Sequence, residues 1–143
     1  VPAAEGRALE IGVGSGLNLP FYSQRVPAEE IPLNDGTIDT VVITWTLCSI
    51  PDAFWALGEI RRVLKPGGRL LFAEHGRAPE PNVARWQDRL IPMWKRCGGG
   101  CHLNRAVASL IEAAGFALER CETGYMRGAR PLSFMYEGSA RPR

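Results

Sequence analysis

Apolar and polar positions change period several times along the chain, and each change predicts an element. Leu9, Ile11 and Val13 alternate with Glu10 and Gly12, then give way to glycines at every second position. That pattern predicts a strand running into a tight loop. Asn18 to Arg25, with Pro20 early in it, predicts a short helix or turn. Ile38, Val41, Val42, Ile43 and Trp45 form a β-branched run without helical period, the mark of a buried parallel strand. Pro51-Asp52 opens a helix with Asp52 as its N-cap. Phe54, Leu57, Ile60, Val63 and Leu64 then recur at helical spacing. Arg61, Arg62 and Lys65 lie near the end of that helix, where cations suit the dipole, and Pro66-Gly67-Gly68 stops it.

The second half repeats the alternation. Arg69 to Glu74 predicts a strand, with His75-Gly76 at its carboxyl end. Arg77 to Gly100 starts irregularly and then predicts an amphipathic helix through Val83, Trp86, Leu90 and Trp94. Asn104 is the expected cap of a further helix carrying Val107, Leu110, Ile111 and Ala114 and ending at Gly115. Phe116 to Glu122 and Leu132 to Gly138 read as two closing strands joined by Gly124 to Pro131. Strands alternating with helices imply an α/β fold with a mostly parallel sheet. Two strands in succession at the end imply an antiparallel hairpin at one edge.

Composition narrows the class. The 143 residues suit a single domain, 1–143. A net charge of +2 with scattered arginines gives no reason to expect nucleic acid. No apolar run reaches the length of a membrane span, and nothing resembles a signal peptide. The chain begins at Val1 rather than Met, so an N-terminal extension is expected ahead of it. Cys48, Cys97, Cys101 and Cys121 do not form a disulfide framework at this size, so reduced thiols and a cytoplasmic location are expected. Cys97, Cys101 and His102 raise the question of a metal. Their C-x-x-x-C-H spacing matches no common zinc arrangement, and no metal is expected.

The glycine loop carries the first chemistry. A dinucleotide loop is G-x-G-x-x-G, and its third glycine would fall on Leu17. Glu10-Ile11-Gly12-Val13-Gly14-Ser15-Gly16 is instead E-x-G-x-G-x-G, which resembles the first motif of class I methyltransferases that use S-adenosylmethionine (SAM). Two further segments agree with it in order and separation. They are Thr40 to Asp52 and the helix, turn and strand Glu59-Ile60-Arg61-Arg62-Val63-Leu64-Lys65-Pro66-Gly67-Gly68-Arg69-Leu70-Leu71. The chain from Arg7 onward thus resembles the ubiquinone/menaquinone C-methyltransferase group. A fainter likeness to alkyl thiol methyltransferases rests on Glu74-His75-Gly76, Ala84-Arg85-Trp86-Gln87 and Gly99-Gly100-Cys101-His102-Leu103-Asn104-Arg105. The resemblance implies a Rossmann-like methyltransferase fold whose last strand inserts antiparallel.

One departure is large. The family has a second strand, a helix and a third strand between its first helix and the strand corresponding to Ile38. Here only Val26 to Thr37 stand there, although a βαβ unit takes about 30 residues or more. No acidic residue takes the place of the one that binds the SAM ribose. Glu29-Glu30-Ile31-Pro32-Leu33 resembles the segment after the third strand, so the gap falls near Val26-Pro27. A break in the chain near Val26 is expected, ahead of a real deletion or an engineered excision, because losing both strands exposes the edge of the first.

The resemblance assigns residues. Glu10, Gly12, Gly14, Gly16 and Asn18 would hold the methionine and ribose side of SAM. Thr44, Trp45 and Thr46 would meet its methionyl part, and Ala28 and Glu29 lie beside the adenine, with Pro27 where the family has aspartate. Cys48, Ser49, Trp86, His102 and Asn104 are expected to line the acceptor site, and His75 is the candidate base, since imidazole titrates near neutrality. Each also has a plainer reading. Glu10 and Asn18 suit capping, Trp45 suits packing, His75 suits orienting a loop, and Cys48 and Cys101 suit small core positions. Trp86, Leu90, Ile91, Met93 and Trp94 would form an apolar lid over a small apolar acceptor such as a thiol, phenol or quinone-like ring. Two other readings stay open: a non-catalytic SAM-binding or scaffold domain, and a nicotinamide oxidoreductase, which Leu17 and the closing hairpin disfavour. No pattern in the chain specifies an oligomeric state.

Overall fold

The structure is a computed structural model that describes residues 3–12, 30–97 and 100–143. In chain order its elements are β1 (Ala8–Ile11), β2 (Ile38–Thr44), α1 (Ala53–Val63), β3 (Leu64–His75), α2 (Pro81–Cys97), α3 (Val107–Ala113), β4 (Phe116–Tyr125), α4 (Arg130–Ser133) and β5 (Phe134–Pro142). Gly14, Gly16, Leu17, Asn18, the helix expected at 18–25, the Val26-Pro27 junction, Ala28 and Glu29 all lie outside the described residues.

The five strands form one sheet in the order β1-β2-β3-β5-β4. β1, β2 and β3 run parallel, and β5 lies antiparallel between β3 and β4. The hairpin expected at the end of the chain is therefore present, with its second strand inserted into the sheet rather than added outside it. Among the described residues β1 has a neighbour on one side only.

Strand residues alternate between two faces. Val41, Ile43, Leu70 and Phe72 point to one face, where they are covered by Ala53, Ala56, Leu57, Ile60 and Val63 of α1 and by Val107 and Ile111 of α3. Register places Glu10, Val42, Leu71 and Ser139 on the other face.

Four local expectations are corrected. Asp52 does cap α1, accepting the Trp55 N–H at 2.9 Å, but Phe54 is exposed. The small residues Ala53 and Ala56 take the inner stripe, and Phe54 stands about 100° round from Ala53. Pro66-Gly67-Gly68 belongs to β3 as an irregularity: Ile38 pairs with Leu64 and Thr40 with Arg69, so the extra residues bulge. Pro66 biases the residue before it towards extended backbone, which lets the strand start where the helix stops. Asn104 does not cap α3, whose N-cap is Ala106; it donates instead to Asp88 Oδ1 at 2.7 Å. Leu132 and Ser133 lie in α4, and the last strand runs from Phe134 to Pro142.

Candidate functional site

β1, β2 and β3 are parallel, so their carboxyl ends meet at one edge of the sheet, where α/β folds place their ligands. At the end of β1, Gly12 has φ +85°, and a Cβ there would overlap the Thr46 hydroxyl. Only glycine meets both conditions. Thr46 Oγ1 in turn lies 2.7 Å from the Thr44 carbonyl and 3.3 Å from that of Ile11, so the two strand ends are fastened together.

The turn after β2 is held from β3. Glu74 is wholly buried, and its Oε1 accepts the N–H groups of Thr46 at 2.7 Å and Leu47 at 2.9 Å. Burial pushes its carboxyl above the ordinary glutamate value, and the backbone donors only partly oppose that. Arg105 closes the far side of the turn, donating to the carbonyls of Leu47 and, at 3.2 Å, Pro51. Trp45 adopts φ +53°, rare for a bulky residue. Its indole is 49% exposed and stands edge-on to His75, ring centroids 5.2 Å apart.

Beyond Trp45 lies a buried group that no local spacing announces. Cys48 follows β2, His75 ends β3 and Cys101 follows α2, yet their side-chain ligand atoms all lie within 4.8 Å of one another. His75 Nε2 is 2.8 Å from Cys101 Sγ. Hydrogen bonding to Cys101, with burial, raises the Cys48 thiol far above its ordinary value. The same bond, seen from the other side, lowers Cys101 despite its burial. Of the two, Cys48 is the thiol that resists ionisation.

The acceptor residues expected from sequence separate. Cys48 and Ser49 are together, with Sγ and Oγ 3.5 Å apart. His102 is beside them: its N–H donates to the Cys48 carbonyl at 2.8 Å, and its Nδ1 lies 3.2 Å from the same oxygen. Burial, then the Arg105 charge, hold the His102 pKa below its ordinary value. Asn104 is drawn away to Asp88. Trp86 is 56% exposed with the Arg89 guanidinium 5.6 Å from its ring, and Met93 is exposed too. Of the expected lid, Leu90 and Trp94 do pack against Cys48, Cys101 and Leu103. The inward position next to Trp86 belongs to Gln87, whose amide holds Ala78 N–H at 2.9 Å, Gly76 O at 2.9 Å and Pro131 O at 3.2 Å.

Known proteins resemble the chain in sequence and in fold. A family described as "Methyltransferase domain" matches residues 22–72. Thiol S-methyltransferase TMT1B of Rattus norvegicus is 46% identical over 86 residues, covering 59% of this chain and 35% of that protein. Thiol S-methyltransferase TMT1A of Homo sapiens is 39% identical over 152 positions, covering 81% of this chain and 62% of that protein. A solved SAM-dependent methyltransferase of Thermotoga maritima, described as a possible histamine N-methyltransferase, superposes with a TM-score of 0.71 at 22% identity, over 97% of this chain and 83% of that one. The chain is similar to methyltransferases over most of its length. Its fold is the Rossmann-like methyltransferase fold, with the antiparallel β5 in place.

The chain spans less than two thirds of either thiol methyltransferase. The human alignment of 152 positions draws on 81% of 143 residues, about 116, so about 36 positions of that methyltransferase meet a gap, the size of a βαβ unit.

Glu74, Cys101, Gln87 and Arg105 were not among the expected site residues. Glu74 did carry a signal, as the one acid in the apolar run Leu70-Leu71-Phe72-Ala73. Among the described residues no helix is long and apolar enough to cross a membrane.

Proposed function

We propose that this chain, as a single domain over 1–143, transfers a methyl group from SAM to a small apolar acceptor, with a thiol the preferred class. The observation that carries this is the juxtaposition of the Gly12–Thr46 strand junction with the buried Cys48, His75 and Cys101 group one strand away. The first takes the place of a cofactor platform at the carboxyl ends of parallel strands, and the second lies beside it at the neighbouring strand ends. The named activity of both thiol methyltransferases supports the acceptor class.

Glu10, Gly12, Thr44, Trp45 and Thr46 are the described residues that would hold the cofactor. They fit it: the strand junction has no room for a side chain at Gly12, and the following turn is fixed by Glu74 and Arg105 before any ligand arrives. Such pre-organisation is what a displacement reaction asks of its enzyme. SAM supplies an electrophilic methyl on a sulfonium, whose positive charge disappears as the acceptor's lone pair takes the methyl. Gly14, Gly16, Asn18, Ala28 and Glu29 are proposed to complete the cofactor site.

On the acceptor side we place Cys48, Ser49 and His102, which lie together beside the packed side chains of Leu90 and Trp94. A thiol acceptor ionises readily and needs no strong base. His75 accordingly acts through its bond to Cys101 rather than as a free base. A reducing, cytoplasmic setting suits these thiols.

Calorimetry with SAM and with NAD, followed by turnover to S-adenosylhomocysteine on a panel of alkyl thiols and phenols, tests the proposal. SAM binding with thiol turnover is expected. Absence of SAM binding overturns it. SAM binding without turnover favours the second reading, a non-catalytic SAM-binding domain.

A further inference from the structure

We propose that Cys48, His75 and Cys101 form a binding site for a single zinc ion. The site goes beyond the methyltransferase reading and does not depend on it. Its ligands are Cys48 Sγ, His75 Nε2 and Cys101 Sγ, which already lie within 4.8 Å of one another. Two sulfurs and an imidazole are a donor set that zinc takes. Zinc–sulfur bonds of about 2.3 Å and zinc–nitrogen bonds of about 2.0 Å set tetrahedral edges of roughly 3.5–3.8 Å. The His75–Cys101 separation of 2.8 Å therefore opens by less than an ångström, and the remaining pairs already lie within reach.

Each ligand is anchored by contacts that leave its donor atom available. The Cys48 backbone is fixed by the bonds of its carbonyl to His102, and the turn that leads to it is fixed by Glu74. The His75 ring is set by the edge contact with Trp45. Cys101 is buried under Leu90 and Trp94. All three residues are buried, and His75 Nδ1 has no hydrogen-bond partner. A closed pocket of thiols and imidazole shielded from solvent suits a metal better than a surface cluster does, since water does not compete for its ligands.

The local run Cys97, Cys101, His102 points to the wrong ligands. Cys97 is exposed on α2, and His102 turns its Nδ1 to a carbonyl. The true neighbours of Cys101 come from residues 26 and 53 positions away in the chain. Three protein ligands leave one position of a zinc tetrahedron to a further group.

Metal analysis of the purified chain, followed by cobalt(II) titration of the metal-free form, tests the site. One zinc per chain is expected. Cobalt should give thiolate charge-transfer absorption together with the visible bands of tetrahedral coordination. Cys48→Ser and Cys101→Ser should weaken binding by about 10-fold or more, and His75→Gln likewise, while Cys97→Ser and Cys121→Ser leave it unchanged. Circular dichroism checks that each variant folds. If a ligand variant does not fold, the cobalt spectrum of the unaltered chain decides the matter. No zinc and no tetrahedral cobalt spectrum in the folded chain overturn the site, as does equal loss on Cys97→Ser. SAM calorimetry on zinc-loaded and zinc-free samples separates the proposals: zinc without SAM binding defeats the methyltransferase reading alone, and SAM binding without zinc defeats the metal site alone.

Discussion

The buried carboxylate of Glu74 accepts the backbone N–H of Thr46 at 2.7 Å, so the end of β3 fixes the turn that follows β2. The arrangement has a pH signature. Burial raises the folded-state pKa of Glu74 above its ordinary 4.5. A raised acid contributes stability that is present below pH 4.5 and lost as pH rises through the folded value. Glu74→Gln keeps the accepting oxygen and removes the ionisation, so its stability should fall less steeply than that of the parent on raising the pH. Glu74→Ala strands two buried donors and should cost about 2–4 kcal/mol at any pH. Denaturant melts at a series of pH values read both.

Gly12→Ala meets two penalties, a left-handed backbone and an overlap with Thr46. The backbone alone should cost about 1–2 kcal/mol. Adding Thr46→Gly relieves the overlap and leaves the backbone cost, so the double variant should recover only part of the loss. Urea melts of the single and double variants measure the split, and SAM calorimetry should show weaker binding in both. Full recovery in the double variant would contradict the strain at Gly12.

Two neighbours on α2 should behave in opposite ways. Gln87 is buried and ties together Ala78, Gly76 and Pro131. Gln87→Leu leaves those backbone groups without partners and should cost about 2–4 kcal/mol. Trp86 is exposed, so Trp86→Ala should change stability by about 0.5 kcal/mol or less. Thermal melts of the two variants side by side check the rotation of the helix.

Arg62 clamps the segment before β2, donating to the carbonyls of Ile31 at 2.9 Å and Leu33 at 2.8 Å while paired with Glu59 and Asp35. Hydrogen bonding to Arg62, above all, holds the Glu59 carboxyl below its ordinary value. A depressed acid contributes stability that is present above its unfolded pKa and lost as pH falls through the folded one. Glu59→Gln should therefore flatten the acid side of the stability profile. Arg62→Lys loses the planar fork and should lower stability by about 1–2 kcal/mol at neutral pH.

Much of this protein is legible from its residues in order. The β-branched run at Ile38 to Thr44, the Asp52 cap and the start of the strand at Phe116 appear where the pattern puts them, because each depends on neighbours within a few residues, while the last strand begins two residues later than its pattern suggests. The E-x-G-x-G-x-G loop and the helix-turn-strand Glu59 to Leu71 pointed to methyltransferases, and the similarity to thiol methyltransferases agrees. Helix faces were less legible. Phe54 and Trp86 have apolar side chains at plausible spacing, yet Ala53 and Gln87 occupy the inner stripe. One residue of rotation is about 100°, and apolar character alone does not fix which neighbour wins when a small residue or a hydrogen-bonding amide suits the interface better.

The sequence by itself determined the period of each segment, the order of strands and helices and the glycines at the first strand end, since these follow from backbone sterics and local spacing. Only the tertiary structure decided that Glu74 would hold the turn at Thr46 and that Cys48, His75 and Cys101 would share one buried pocket. The physical reason is chain direction. Parallel strands bring their carboxyl ends to one edge of the sheet however far apart they lie in the chain, and side chains that no local spacing connects then meet there.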